Sequence, residues 1–359
     1  MSTLMVVAGG TGGHVFPALA VAEVLRTRGV EIVWLGTEKG IEARVASSAG
    51  IEMERVQIQG VRGHGILRWI MAPFHLLFAM AQALAAILRR RPDALLGMGG
   101  FVAGPGGLVA WLLRCPLVIH EQNAVAGMTN RILSLLATRV LLGFPETKMR
   151  SAKRTWVGNP VRKNITALSE SPPCDGQGLR LLVVGGSLGA QVLNTVVPQA
   201  VKKIAVDHKL EVRHQSGRGK LDAVTTAYQP LLEEGGAEVS VTEFIGDMAE
   251  SYSWADMVIC RAGAMTVSEL AIVGLPAILV PYPYAVNDHQ TANAQYLVDN
   301  GAAHLIQESE LNPASLVEII NELGFDRARL EAMGRAARLL GRPGAADEVA
   351  DVCQEVMHA

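Results

Sequence analysis

The chain contains few cysteines. Among its 359 residues there are four, Cys115, Cys174, Cys260 and Cys353, and they lie far apart without a CxxC pair. This spacing argues against a zinc site and a disulfide framework, and it suits a reducing cytosol. The start also lacks a basic segment, and the short apolar run in MSTLMVVAGG ends at glycines. We therefore expect a first β-strand there, not a signal peptide.

The overall charge of −2 conceals an asymmetry between the two halves of the chain. Residues 1–158 contain 17 Lys and Arg against 9 Asp and Glu, whereas the remainder contains 15 against 25. A basic half joined to an acidic half predicts that the first half meets an anionic partner. Ordinary uneven surface charge is the alternative interpretation.

The length suits two domains, and the order of elements predicts an α/β fold with parallel sheets. A strand, a glycine turn, a helix and another strand follow one another, and the same order restarts after a polar, proline-containing linker at 164–178. VAGGTGGH (7–14) resembles VGGSLGAQ (184–191): Gly9, Gly10 and Gly13 match Gly185, Gly186 and Gly189, which puts His14 opposite Ala190. We expect strands at 4–8, 31–36, 93–98, 116–121, 139–144 and 179–186, and a helix at 15–29.

Residues 66–88, ILRWIMAPFHLLFAMAQALAAIL, approach the length of a membrane span. Because polar residues and Pro73 interrupt the segment, and its large residues share one helical face, an amphipathic helix fits better. Two interpretations stay open. Either the apolar side packs on the sheet, or residues 66–80 lie on an anionic membrane surface, with Arg62, Arg68 and Trp69 at or just before the start of this segment.

The motif GGTGGH (9–14) matches neither familiar nucleotide-binding fingerprint. It lacks the last glycine of GxGxxG and the lysine of a P-loop. Its glycines still allow backbone N–H groups to approach an anion at the start of a helix, which predicts a diphosphate or sugar site. A tight turn alone would need fewer glycines. A second glycine loop, GMGGFVAGPGG (97–107), and the polar HEQNAVAG (120–127) also follow predicted strands, where open α/β sheets bind ligands.

In the second half, residues 257–283 predict a strand, a turn, a helix and a strand. The helix start at Ala264–Thr266 offers amide groups for phosphates, and Glu269 one turn later could accept hydrogen bonds from ribose hydroxyls. Thr266 and Glu269 also match a capping box, which is the alternative. Asp288, His289, Gln290 and Asn293 follow the next strand and suit sugar hydroxyls.

Seven motifs in order across nearly the whole chain resemble the MurG family of UDP-N-acetylglucosamine (UDP-GlcNAc) transferases of peptidoglycan synthesis. They are GGTGGHVFPALA, GMGGFVAGPGG, HEQNAVAG, VGNPVR, GGSLGA, CRAGAMTVSEL and DHQTANA. The resemblance implies the glycosyltransferase-B fold, two Rossmann-like domains facing across a cleft. It implies an acceptor domain at 1–160, a UDP-GlcNAc domain at 161–340, and a helix at 341–359 that packs back on the first. It further implies inverting transfer of GlcNAc to undecaprenyl-pyrophosphoryl-MurNAc-pentapeptide.

The resemblance also assigns site residues. Ile245 backbone would hold the uracil, Glu269 the ribose, Ser187 and the helix start the diphosphate, and Gln290 with Asn123 the GlcNAc. The full set of expected donor contacts is Thr11, Gly12, Gly13, Asn123, Arg162, Ser187, Ile245, Ala264, Met265, Thr266, Val267, Ser268, Glu269 and Gln290. The acceptor pyrophosphate would lie on Gly12, Gly13, His14, Gly99, Gly100 and Gly104.

His14 is our candidate general base, because the start of a helix disfavours the charged form of its ring. Glu121 is the second candidate, and a role limited to substrate hydrogen bonding is the alternative for His14. No DxD motif is present, so we expect no metal and no cofactor, with Arg162 and the helix dipole stabilising the leaving diphosphate.

The expected location is peripheral, on the cytoplasmic face of the inner membrane. Expected partners are UDP-GlcNAc, the undecaprenyl-linked acceptor and the anionic membrane surface, with cell-wall synthesis proteins as further candidates and no nucleic acid. A UDP-GlcNAc 2-epimerase or another glycosyltransferase-B enzyme is the main alternative, and a non-catalytic nucleotide-sugar binder is a second. A dehydrogenase is excluded by the missing GxGxxG.

Overall fold

The computed structural model describes residues 2–58, 66–149, 151, 153–170, 178–234 and 236–359. Arg62 and Cys174 lie outside these residues, and the side chains of Arg68 and Trp69 are not among those described. The chain divides into two units. Unit 1 comprises Met1–Arg162 with Arg342–Ala359, and unit 2 comprises Lys163–Gly341.

Unit 1 is built on a seven-stranded parallel sheet in the order β3-β2-β1-β4-β5-β6-β7. Its first strand is almost entirely apolar and buried, as expected for a parallel strand covered on both faces. Leu4 and Val6 join one core cluster, Met5 and Val7 another, so helices cover both faces. Its elements up to residue 162 are β1 (Thr3–Val7), α1 (Gly12–Thr27), β2 (Glu31–Gly36), α2 (Ile41–Ser48), β3 (Glu52–Arg55), α3 (Ile66–Arg90), β4 (Ala94–Gly97), α4 (Ala103–Leu112), β5 (Leu117–Glu121), α5 (Met128–Leu133), β6 (Arg139–Leu142) and β7 (Arg154–Trp156).

Unit 2 repeats this arrangement with a six-stranded parallel sheet in the order β10-β9-β8-β11-β12-β13. In both units the chain order reverses beside the first strand, at β1/β4 and at β8/β11, the position where doubly wound sheets bind ligands. Its elements are α6 (Lys163–Thr166), a 3-10 helix (Ala167–Glu170), β8 (Leu179–Val184), α7 (Gln191–Ile204), β9 (Leu210–Gln215), α8 (Leu221–Glu234), β10 (Ala237–Thr242), α9 (Met248–Trp254), β11 (Met257–Cys260), α10 (Ala264–Val273), β12 (Ala277–Leu279), a 3-10 helix (Val286–Asp288), α11 (His289–Val298), β13 (Ala303–Leu305), α12 (Pro313–Leu323) and α13 (Arg327–Leu340).

The last helix, α14 (Ala345–Met357), belongs to unit 1 and packs on α1. Val349, Ala350, Cys353 and Val356 are buried in the same core cluster as Val21 and Leu25 of α1. Arg28 adds ion pairs to Asp347 at 3.0 Å and Asp351 at 2.6 Å. The first unit therefore contains both the beginning and the end of the sequence.

The prediction of two α/β domains with parallel sheets is confirmed, although several details differ. Helix α1 begins at Gly12, three residues before its predicted start, because the glycines themselves form its first turn. The predicted linker at 164–178 begins with helical turns, which contact α10 of unit 2. Short strands such as β3 and β7 escaped notice because they are half-polar or only three residues long.

Helix α3 presents small residues to the core. Ala79, Ala83 and Ala86 are buried, whereas Phe74, Leu77 and Phe78 are each more than half exposed. Of the two interpretations left open, packing of the large apolar side on the sheet is therefore wrong for the described part of the helix, and contact with a membrane surface stays a prediction. Small side chains let α3 lie close to α4. No helix within the described ranges is both long and apolar enough to cross a membrane.

Candidate functional site

Three loops of unit 1 meet at one edge of its sheet, because β1, β4 and β5 are neighbours and parallel. The loops after β1 and β4 touch each other directly. Gly100 has a φ of 80°, and a Cβ on it would overlap the carbonyl oxygen of Gly9. A side chain there would force the two loops apart. The sequence prediction that both glycine loops lie at one sheet edge is confirmed.

The start of α1 leaves space beside its glycines. Thr11 is the N-cap in extended conformation, and Gly12, Gly13 and His14 form the first turn. A Cβ on Gly13 would meet only the Thr11 hydroxyl, at 3.6 Å, so packing does not require glycine there. The first amide groups of a helix have no partner within it. This turn therefore offers donors that an anionic group can approach closely.

His14 is the outer end of a chain of hydrogen bonds that starts deep in unit 1. Its Nδ1 lies 2.9 Å from Oε1 of Gln122. Nε2 of Gln122 lies 3.1 Å from Nδ1 of His120 and 3.2 Å from the His120 carbonyl oxygen. Nε2 of His120 lies 2.9 Å from the carbonyl oxygen of Gly158. His120 and Gln122 are almost fully buried, whereas His14 is partly exposed at the loop cluster.

Burial dominates the electrostatics of His120. Desolvation lowers its pKa to about 4, against smaller raising contributions from the Gly158 carbonyl and from Glu121. At neutral pH the ring is therefore uncharged, with one nitrogen donating and the other accepting.

Glu121 organises the loop after β5, and this argues against its use as the base. One carboxylate oxygen accepts from the backbone and side-chain nitrogens of Asn123, at 3.0 and 3.2 Å. The other accepts from the Gly127 amide at 3.0 Å and from Asn130 Nδ2 at 2.9 Å. With four donors on a buried carboxylate, its lone pairs are directed into the loop, and Asn123 is held in place.

Glu42, which sequence reasoning missed, fixes the first glycine loop from the other side. This fully buried carboxylate accepts from the Gly10 amide at 3.3 Å and from the Thr37 amide and hydroxyl at 3.1 and 2.6 Å. The sequence signal for this role was weak, because a glutamate two positions after a glycine at the start of a short helix is typical of any first helical turn.

The remaining predicted residues of unit 1 surround the same edge. Gly99 lies against His14, since a Cβ on it would be 3.1 Å from the imidazole Nδ1. Gly104 is the second residue of α4 and has Thr129 as its nearest neighbour. The guanidinium of Arg162 lies over the Phe16 ring of α1, 5.4 Å from its centroid. Arg162 therefore falls at the end of unit 1, beside the helix that carries His14.

The predicted residues of unit 2, apart from Ile245, follow β8, β11 and β12, which are neighbours in the sheet. Ser187 is exposed in the loop after β8. Helix α10 begins at Ala264, with Gly263 as an extended N-cap and without a side-chain cap. The alternative that Thr266 and Glu269 form a capping box is therefore wrong, because Thr266 lies inside the helix. Ala264, Met265 and Thr266 form the first turn, whereas Val267 is buried and donates its amide to the Gly263 carbonyl.

Glu269 and Gln290 are both oriented by tyrosines. The buried Tyr252 donates its hydroxyl to Oε2 of Glu269 at 2.9 Å. The Tyr282 amide donates to Oε1 of Gln290, also at 2.9 Å. Ile245 follows β10, further along the sheet and next to the exposed Phe244, and Ser268 lies one residue before Glu269 on α10. Among the residues described, no group of three or more His, Cys, Asp or Glu side chains is placed to hold a metal ion.

Known proteins match the chain over its whole length. Residues 4–142 match the N-terminal domain of glycosyltransferase family 28, and residues 180–352 match its C-terminal domain. A protein of Thiobacillus denitrificans is 51% identical over 98% of this chain and 97% of its own. The chain belongs to glycosyltransferase family 28. It is accordingly a glycosyltransferase enzyme.

The family 28 relatives share one name. The Thiobacillus protein and one of Alkalilimnicola ehrlichii, 52% identical with 98% of both chains covered, are called UDP-N-acetylglucosamine–N-acetylmuramyl-(pentapeptide) pyrophosphoryl-undecaprenol N-acetylglucosamine transferase. The crystal structure of Acinetobacter baumannii MurG superposes with a TM-score of 0.83 at 40% identity, covering 99% of this chain and all of that one. The expected resemblance to the MurG family is confirmed.

Proposed function

We propose that this enzyme transfers GlcNAc from UDP-GlcNAc to undecaprenyl-pyrophosphoryl-MurNAc-pentapeptide, which forms the lipid-linked disaccharide precursor of peptidoglycan. This conclusion rests on sequence identity: the chain is about 50% identical, over nearly its full length, to transferases of that name. Both domains of the family are matched. An epimerase would need no lipid acceptor, and the named relatives are transferases.

Unit 2 is our proposed donor-binding unit. The first turn of α10, Ala264 to Thr266, and Ser187 would donate to the diphosphate, because the amides of a helix start and its dipole favour anions. Glu269, held by Tyr252, would accept from the ribose hydroxyls. The backbone of Ile245 would hold the uracil, and Gln290 would contact the GlcNAc. Val267 contributes packing beneath this turn, since its side chain is buried.

Unit 1 is our proposed acceptor-binding unit. Gly12, Gly13, Gly99, Gly100 and Gly104 line the meeting point of two loops at helix starts, which suits the acceptor pyrophosphate. Thr11, Asn123 and Arg162 are the residues of this unit that we propose as donor contacts. The support for Asn123 is that Glu121 fixes both its backbone and its side chain.

The proposed reaction develops two charges, a positive one on the histidine that takes the acceptor proton and a negative one on the leaving diphosphate. The acceptor hydroxyl attacks the anomeric carbon, the carbon–oxygen bond to the diphosphate breaks, and UDP leaves with the electron pair. His14 takes the hydroxyl proton, and helix starts with Arg162 stabilise the negative charge on the leaving diphosphate. We propose that no metal takes part. Loss of activity in excess chelator, with recovery on adding a divalent cation, would contradict this.

The exposed face of α3 supports a peripheral position on the cytoplasmic face of the inner membrane. Phe74, Leu77 and Phe78 present large apolar side chains to solvent in the more basic half of the chain. Such a face suits insertion into an anionic lipid surface. Co-sedimentation with anionic vesicles should weaken for Leu77→Glu and stay unchanged for Leu339→Glu, an equally conspicuous exposed leucine in unit 2.

The decisive experiment incubates the purified full chain with radiolabelled UDP-GlcNAc and the lipid-linked muramyl-pentapeptide. We expect label in a lipid-extractable product that carries the GlcNAc–MurNAc disaccharide. Conversion of the label to UDP-N-acetylmannosamine without lipid labelling would identify an epimerase instead, and binding without turnover would identify a nucleotide-sugar binder.

A further inference from the structure

The hydrogen-bond chain from Gly158 to His14 has a direction that the geometry alone fixes. Carbonyl oxygens of the backbone accept hydrogen bonds and never donate them. Since Nε2 of His120 lies 2.9 Å from the Gly158 carbonyl, this nitrogen carries the hydrogen. In an uncharged ring the other nitrogen, Nδ1, is then an acceptor. The lowered pKa of His120 is consistent with this uncharged state.

The side-chain amide of Gln122 continues the same donor-to-acceptor order from His120 to His14. Its side-chain nitrogen faces two acceptors, Nδ1 of His120 at 3.1 Å and the His120 carbonyl oxygen at 3.2 Å. The reversed amide would place its oxygen against both acceptors, so the nitrogen must occupy this position. Both amide hydrogens are thereby used, and the oxygen of Gln122 faces His14. Nδ1 of His14, 2.9 Å away, must donate to it.

We propose that Gln122 and His120 are positioning residues that hold His14 with its hydrogen on Nδ1 and its lone pair on Nε2. The inference deepens the proposed function and rests on it, because it supplies the state that a general base needs. Nε2 accepts the proton of the acceptor hydroxyl as the new glycosidic bond forms and UDP departs. The opposite tautomer of the neutral ring would carry a hydrogen on Nε2 and could not accept this proton.

The arrangement resembles a Ser-His-Asp triad in function, where an orienting group selects the histidine tautomer. Here a neutral amide takes the place of the carboxylate. Glu121 precedes Gln122 in the sequence, and its carboxylate accepts hydrogen bonds from the loop donors described above. None of these four bonds joins it to the side chains of Gln122 or His14. Gln122 can orient His14 without adding a second charge beside the acceptor pyrophosphate.

The test begins with the unmodified enzyme and requires no activity. Nitrogen-15 NMR of histidine-labelled protein, at alkaline pH where the ring is neutral, distinguishes a protonated ring nitrogen from one with a lone pair. The His14→Gln variant assigns the His14 signals by their disappearance. We expect a protonated Nδ1 and an unprotonated Nε2. A protonated Nε2 with a bare Nδ1 would overturn the proposal.

Variants then connect the tautomer to turnover. Gln122→Met keeps the length of the side chain but removes its donors and acceptor. We expect both tautomers of His14 to appear and the UDP-GlcNAc Kd to stay unchanged. We expect kcat to fall by about 10- to 100-fold, the range known for groups that orient metal-bound histidines. Unchanged tautomer and kcat in a folded Gln122→Met protein would contradict the proposal. Gln354→Met is the matched control, because Gln354 lies on α14 and accepts a hydrogen bond from Arg28.

A second pair of variants guards against loss of folding at Gln122. His120→Asn keeps an acceptor near the position of Nδ1, whereas His120→Leu removes it. We expect His120→Asn to retain more of the kcat and of the single His14 tautomer than His120→Leu; the reverse order would contradict the relay. The base assignment fails separately: full kcat in His14→Gln would refute the role of His14, while the tautomer measured in the unmodified enzyme would stand.

Discussion

The two units share a strand order and a glycine loop after the first strand, yet they use the loop differently. In unit 1 the helix begins at Gly12, before His14, and Gly13 borders open space. In unit 2 the matching Gly189 has a φ of 68°, and a Cβ on it would overlap the carbonyl oxygen of Ser216. One glycine leaves room for a ligand and the other permits packing. The same motif therefore does not by itself reveal which use a loop serves.

Each unit also buries one histidine in a polar network, and the networks end differently. In unit 2 the Tyr228 hydroxyl lies 3.0 Å from Nδ1 of His214, Nε2 lies 3.1 Å from Asn194 Oδ1, and Asn194 donates to the Ser216 carbonyl. This network closes on the backbone beneath the glycine loop. The network of unit 1 ends instead on a partly exposed imidazole. We infer that the network of unit 1 supports chemistry and that the network of unit 2 supports a binding surface.

Replacing His14 is the most severe test of the proposed difference between the two units. His14→Gln should lower kcat by about 100- to 10,000-fold, the usual contribution of a general base. The UDP-GlcNAc Kd should stay nearly unchanged, because unit 2 is our proposed donor-binding unit. The measurement is steady-state turnover with the lipid acceptor, beside donor binding by calorimetry. His208→Gln, an exposed histidine of unit 2, is the control. Lost donor affinity at full kcat would reverse the assignment of the two units.

Replacing Glu269 tests the proposed role of unit 2 in donor binding. Glu269→Gln removes a charged acceptor, so the KM for UDP-GlcNAc should rise by about 10- to 100-fold while kcat at saturating donor changes little. Tyr252→Phe, which removes only the hydroxyl that orients Glu269, should have a smaller effect in the same direction. A fall in kcat with an unchanged KM would place chemistry in unit 2.

A further expected effect is common to both units and concerns stability instead of turnover. Burial lowers the pKa of His120 and of His214 to about 4, from an ordinary value of 6.5. As the pH falls below 6.5, the unfolded chain binds protons that these folded histidines do not, so stability declines down to about pH 4 and then levels off. Each histidine should cost about 2 kcal/mol between pH 6.5 and 5.

Urea unfolding of the whole chain at several pH values measures this decline. His208→Asn should leave the slope unchanged, since His208 is exposed. A free energy of unfolding that stays constant or rises toward pH 5 would show that neither buried ring resists protonation.

Sequence reasoning located the strand ends that carry the site, because long apolar strands followed by glycine leave a clear pattern. It could not recognise Glu42, Tyr252 or the orienting role of Gln122. These act through contacts between residues distant in sequence, such as Gly10 with Glu42. It left two interpretations of α3 open, since periodicity shows that two faces differ but not which face packs against a neighbour. Roles at the site, including those of Ser187 and Gln290, remain predictions.

The return of α14 to the first unit has a consequence for synthesis on the ribosome. Val349, Cys353 and Val356 complete a core whose members outside α14 lie between Leu4 and Val157. All of residues 163–341 emerge before that core can close, and domains generally fold as units during elongation. The unit begun first is thus finished last, and a nascent chain stalled before α14 would carry a complete second unit beside a first one with an open flank.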